Sequence, residues 1–124
     1  MSVKNTICWA DIPVTNLKRA IKFYSAVLGV KVKVESMPGM EFGLLPHHDQ
    51  NVSGCLVKMK DNKPSKNGPV VYFSVGGRHD AAEKAAVKNG GKVLTKKHQI
   101  GPYGFRSVIV DCEGNRVALH SEKG

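Results

Sequence analysis

The run Thr15-Asn16-Leu17-Lys18-Arg19-Ala20-Ile21-Lys22-Phe23-Tyr24-Ser25-Ala26-Val27-Leu28-Gly29 carries the clearest structural signal in the chain. Leu17, Ala20, Ile21, Tyr24, Val27 and Leu28 fall at offsets of 0, 3, 4, 7, 10 and 11, one stripe of an amphipathic helix. Thr15 or Asn16 can cap its start, and Gly29 stands where a left-handed C-terminal cap is wanted. Upstream, Thr6 to Pro13 reads as a short strand stopped by proline. Downstream the period changes to two. Val30, Val32 and Val34 alternate with Lys31, Lys33 and Glu35, which predicts a strand with one wet face. Pro38-Gly39 is a turn, Met40 to Leu45 a second strand, residues 46–51 a polar loop, and Val52 to Met59 a third strand.

Lys60 to Pro69 is polar, breaker-rich and unpatterned, a linker. Beyond it the order repeats. Val70 to Val75 reads as a strand, and a helix starts at His79 or Asp80 and runs through Asn89 to Gly90-Gly91. Gly91 to Lys97, Phe105 to Val110 and Arg116 to His120 read as three further strands. The expected fold is α+β, one domain of two βαβββ modules, 5–60 and 68–122. Neither module buries a complete core alone.

The composition sets bounds on function. The chain has 124 residues, 41% hydrophobic and 23% charged, which suits a soluble globular domain. No run approaches the ~18 apolar residues of a membrane helix, and Met1-Ser2-Val3-Lys4-Asn5 lacks the apolar stretch of a secretory signal. Three cysteines make no disulfide framework and suit a reducing cytoplasm. Nineteen Lys and Arg against ten Asp and Glu give +9, but the lysines scatter and the eight aromatics mostly fall in apolar patterns. That argues against a nucleic-acid partner, and for solubility or attraction of a small anion. The glycine pairs at 76–77 and 90–91 fit no phosphate-cradling motif.

The segment from Asp11 to Tyr24, ending at Leu28-Gly29, resembles the first-module signature of the vicinal-oxygen-chelate superfamily. Glyoxalase I, extradiol dioxygenases and the bleomycin- and fosfomycin-resistance proteins belong to it. Gly90-Gly91-Lys92-Val93 and Asp111-Cys112-Glu113-Gly114-Asn115, closing on Leu119-His120-Ser121, resemble its second module, with Cys112 replacing the usual proline. The resemblance spans essentially the whole chain. It implies modules curled around a concave site, a homodimer, and, in metal-dependent members, His, Glu or Gln ligands from the first and last strand of each module. Those positions fall here on Trp9, the stretch Gly54 to Val57, Val70 and Ala118. No such ligand stands there, so neither metal nor cofactor is expected.

If the ligand positions face the concavity, strand parity turns Trp9, Asp11, Tyr72, Ser74, Arg116 and His120 the same way. Trp9 and Tyr72 would wall a pocket. His120 is the candidate general base, with an idle strand-end histidine as the alternative. Glu41 is a second candidate base or a solvated charge, and Arg106 either holds a carboxylate or is a surface arginine. His47 and His48, adjacent in a loop, do not make a metal site, and Cys55 and Cys112 read as small buried apolar groups. The expected function is binding of a small carbonyl-containing or anionic metabolite, as a metal-independent isomerase or lyase. In that case His120 or Glu41 moves a proton while Arg106 or Tyr72 holds the oxygen. The alternative is a non-catalytic, resistance-type binding protein. Cationic bleomycin suits a +9 chain poorly.

Overall fold

The computed structural model describes residues 5–48 and 51–124. The N-terminal stretch read for a leader lies outside the described residues up to Lys4, as do Asp49 and Gln50 of the polar loop. The chain runs β1 (Trp9–Pro13), α1 (Leu17–Leu28), β2 (Lys33–Met37), β3 (Met40–Leu44), β4 (Ser53–Val57), then β5 (Val71–Ser74), α2 (His79–Lys88), β6 (Lys92–Gln99), β7 (Phe105–Val110) and β8 (Arg116–Ser121). Each half is βαβββ, and the fold is α+β. The two sheets have the orders β1-β4-β3-β2 and β5-β8-β7-β6. In each, the first strand pairs parallel to the last, and the other pairs are antiparallel. Among the described residues no helix is long and apolar enough to cross a membrane.

One core draws on both halves: Phe23, Tyr24 and Leu56 from the first, Phe73, Ile109 and Leu119 from the second. Tyr24 joins them, its ring 5.0 Å from Phe23 and 5.2 Å from Phe73. Each such side chain contributes about 1.5–3 kcal/mol by leaving water.

The polar contacts are as shared as the core. Asn16 caps α1, its side chain accepting from Arg19 N at 3.0 Å. Glu113, from the turn before β8, completes that cap. Its Oε1 accepts from Thr15 N at 2.6 Å and Thr15 Oγ1 at 2.7 Å, its Oε2 from Asn16 N at 3.1 Å and Arg19 Nη2 at 2.8 Å. Burial alone would raise the pKa of this carboxyl, but the bonds from Thr15, Arg19 and Asn16 hold it below its ordinary value. At the other end, Arg78 donates to Val27 O and Ala26 O, the last carbonyls of α1. Gly29 closes the helix with φ 71°, and a Cβ there would lie 2.8 Å from Arg78 Nε. Glycine is required on both counts.

Beneath Glu113, buried Asp111 accepts from Tyr24 Oη at 2.6 Å, Glu113 N at 2.8 Å, Asn115 N at 2.9 Å and Asn115 Nδ2 at 3.1 Å. Asn115 also donates to Pro13 O and accepts from Ser65 N, so the turn binds the linker as well.

The valine alternation read at 30–34 is corrected. The strand begins at Lys33 and all five of its residues are exposed, whereas Val32, just before it, is buried. β2 is the edge strand of its sheet, so Val34 and Met37 stay bare.

Asp111→Ala strands four donors at the module junction, most of them buried. We expect a loss of about 3 kcal/mol or more in urea unfolding, and about 1–2 kcal/mol for Tyr24→Phe, which removes one of the four bonds.

Candidate functional site

Alternate residues of β5 and β8 point to opposite faces. Phe73, Val117, Leu119 and Ser121 are buried, while Tyr72, Ser74 and Arg116 are exposed and His120 is half-buried. The register sets Ser74 opposite His120, His120 opposite Arg106, and Arg106 opposite His98, one polar row across four strands. Tyr72 stands one step along β5, its ring 6.4 Å from that of His120.

The hydrogen bonds settle the ring tautomers. His98 Nδ1 lies 2.9 Å from Lys96 O, a pure acceptor, so Nδ1 carries the proton and Nε2 is a lone pair. Arg106 Nη2 donates to that lone pair at 3.3 Å, and its Nη1 donates to Tyr72 Oη at 2.8 Å. The phenol O–H remains able to donate outward. His120 Nε2 donates to Tyr103 O at 2.6 Å, which leaves its Nδ1 a bare acceptor. That carbonyl is presented by the turn Gly101–Tyr103 and by Gly104, at φ 100°. A Cβ on Gly104 would fall 2.4 Å from Ser121 O, so the close approach of this turn to β8 also demands glycine.

Tyr72, Arg106 and His120, singled out from the sequence, thus come together. Trp9 shares a hollow of about 740 Å³ with Tyr72, between the edges of β1 and β5. Its indole N–H is taken, donating to Asp11 Oδ1 at 3.0 Å. Arg116 borders a smaller hollow beside Asp11, and Glu41 lies on the β2–β3 hairpin among Met37, Met40 and Lys58. Neither hollow includes His120. His98 was missed: β6 carries two register shifts, so counting residues along it does not tell which face a side chain takes.

The residues at the superfamily's ligand positions do not fit a metal. Trp9 and Val70 offer no lone pair, and Ala118 is a covered methyl. Cys55, opposite Asp11, is a thiol whose pKa is pushed up to about 11 by burial and by Asp11. Among the described residues, no three His, Cys, Asp or Glu side chains converge.

Directly beneath the polar row lies His79, the first residue of α2 and buried. Its Nδ1 is 2.6 Å from Ser121 Oγ and its Nε2 is 2.7 Å from Ser107 Oγ, so it clamps β7 to β8 from the core side.

The sequence pattern of the glyoxalase-like domain family runs through residues 7–120. The CFP32 protein of Mycobacterium bovis, described provisionally as a glyoxylase, is 30% identical over 110 residues, 88% of this chain. This chain spans only 41% of that relative's length. A glyoxalase/bleomycin resistance protein from Albidiferax ferrireducens superposes with TM-score 0.71 at 18% identity, covering 94% of this chain and 98% of its own. Glyoxalase I from Zea mays gives 0.68 at 24% identity, covering 93% of this chain and 45% of its own. These likenesses are of fold.

Burial lowers the proton affinity of His79, and nearby Glu83 only partly offsets this. The unfolded chain takes up this proton near the ordinary value of 6.5. Below that pH the unfolded state therefore binds more protons, and stability falls as pH drops through the lowered folded value. Thermal melts from pH 7.5 to 5 should show this decline, and His79→Gln should flatten it in that window.

Proposed function

The chain belongs to the glyoxalase-like domain family, and from that premise we propose that it binds a small carbonyl-containing metabolite on the outer face of β5-β8-β7-β6. We propose further that it moves a proton there without a metal. The observation that carries this reading is the pairing of a base with an electrophile. His120 Nδ1 is left bare by the bond from Nε2 to Tyr103 O, and the Tyr72 hydroxyl is free to donate while Arg106 holds its oxygen. His120 takes a proton from the carbon beside the carbonyl and becomes imidazolium. Tyr72 hydrogen-bonds the enolate oxygen that develops. Returning the proton to a neighbouring atom completes an isomerisation, and loss of a leaving group instead gives a lyase. Trp9 supplies the apolar wall of the adjoining hollow.

Binding of a planar carbonyl compound should quench or shift the emission of Trp9, the single tryptophan. Trp9→Ala should weaken binding by about 1–3 kcal/mol. His120→Ala should lower turnover, measured by NMR across a library of 2-oxo and aldehyde compounds, about 100-fold or more while changing affinity little. Binding without turnover in the parent protein would favour a resistance-type binding protein instead.

We also propose a homodimer, formed through the bare apolar residues of the sheets. Val34 is 54% exposed, Met37 52% and Leu94 51%, all on the outermost strands of the two sheets. Light scattering at micromolar concentration should give the mass of two chains, and the mass of one would remove the dimer. Three free thiols, among them the exposed Cys8, suit a cytoplasmic protein.

A further inference from the structure

Arg106 is a guanidinium without an anion. Its two bonded partners, Tyr72 Oη and His98 Nε2, are both neutral acceptors. Its Nε is closed off from water and has no hydrogen-bond partner at all. Among the described residues the carboxylates in ion pairs engage Arg19 and Lys97, Glu83 lies 3.9 Å from His79 Nε2, and no carboxylate reaches Arg106. The groups flanking it in the row are His98 and His120. Folded proteins rarely leave a partly buried cation so provided for, because charge-assisted bonds to a carboxylate are about twice as strong as bonds to neutral oxygen or nitrogen. The fold's own side chains hold the guanidinium in place and leave its charge unmatched.

We infer that Arg106 is a carboxylate subsite, and that the ligand of this face is a short 2-oxo acid. The inference rests on the reading of His120 and Tyr72 given above and adds the ligand's class. Its size follows from the register. Arg106 and His120 are direct cross-strand neighbours, with Cα atoms about 4.5–5.5 Å apart. Arg106 Nη1 already touches Tyr72 Oη at 2.8 Å. A carboxylate on the guanidinium therefore brings the oxygen of the adjoining carbon to the Tyr72 hydroxyl, and the next carbon towards His120 Nδ1. That order of contacts, carboxylate to carbonyl to the next carbon, is that of a three-carbon 2-oxo acid. His98, as a lone-pair acceptor, keeps the guanidinium pointed at the site and cannot itself neutralise it.

The test is calorimetric titration of the intact protein with pyruvate, with pyruvamide, which has the same shape and carbonyl but no charge, and with inorganic phosphate. Pyruvate should bind about 30-fold more tightly than pyruvamide, the scale of one charge-assisted contact. Arg106→Gln should bring that ratio near one, whatever the loss of its bond to Tyr72 does to the affinity of both compounds, and Arg106→Lys should restore part of it. The comparison of ligands on the parent protein needs no variant to fold. Equal binding of pyruvate and pyruvamide would overturn the carboxylate subsite and leave the carbonyl reading standing. Phosphate binding as tightly as pyruvate would make Arg106 a general anion trap and overturn the oxo-acid class. Binding of none of the three at millimolar concentration would overturn the carbonyl reading, and this subsite with it.

Discussion

Helix α1 belongs to the first half of the chain, yet both of its ends are finished by the second. Glu113 brings a carboxylate to the N-terminus, where free N–H groups carry partial positive charge, and Arg78 brings a guanidinium to the C-terminal carbonyls. Each charge has the sign that the helix dipole favours. The helix of the first half is not satisfied without the second, so the two modules dock in one relative position. The rest of the structure depends on that docking.

The turn that supplies Glu113 is also the start of the candidate site. Asp111 sits at its base, holding Tyr24 of α1 and the backbone of Glu113 and Asn115, and β8 begins one residue later at Arg116. Along β8, alternate side chains sink into the shared core as Val117, Leu119 and Ser121 while His120 rises on the other face. His79 then ties Ser121 to Ser107 from below. A side chain that must meet a ligand within a fraction of an ångström is thus carried on a strand anchored at its start and clamped at its end. Glycine at 104 lets the Tyr103 carbonyl come close enough to set the His120 tautomer.

Much of this was legible beforehand where one local rule decided the outcome. The α1 stripe and its Gly29 cap needed only helical periodicity, and β7 was read at its observed bounds, Phe105–Val110. Inward and outward faces of β5 and β8 followed from the period of two. The reading failed at Val30–Val34, where the alternation was real but the strand lay at a sheet edge with all five of its residues exposed. It was silent on His98, because the irregular pairing of β6 breaks the link between residue number and face.

What the sequence determined by itself was the order of elements, the duplicated βαβββ plan and the lack of usable donors at the superfamily's ligand positions. Those are properties of residue type and spacing, and a period is the same in any surroundings. The tertiary structure decided which polar groups meet. It placed Glu41 and Arg116 beside hollows that do not include His120, brought His98, Arg106 and Tyr72 into one network, and turned an acidic turn residue into the cap of a helix nearly a hundred residues earlier. Such contacts join residues far apart in the chain, and their partners are chosen by sheet register and by the docking of two modules. Neither of these is written in any local stretch of sequence.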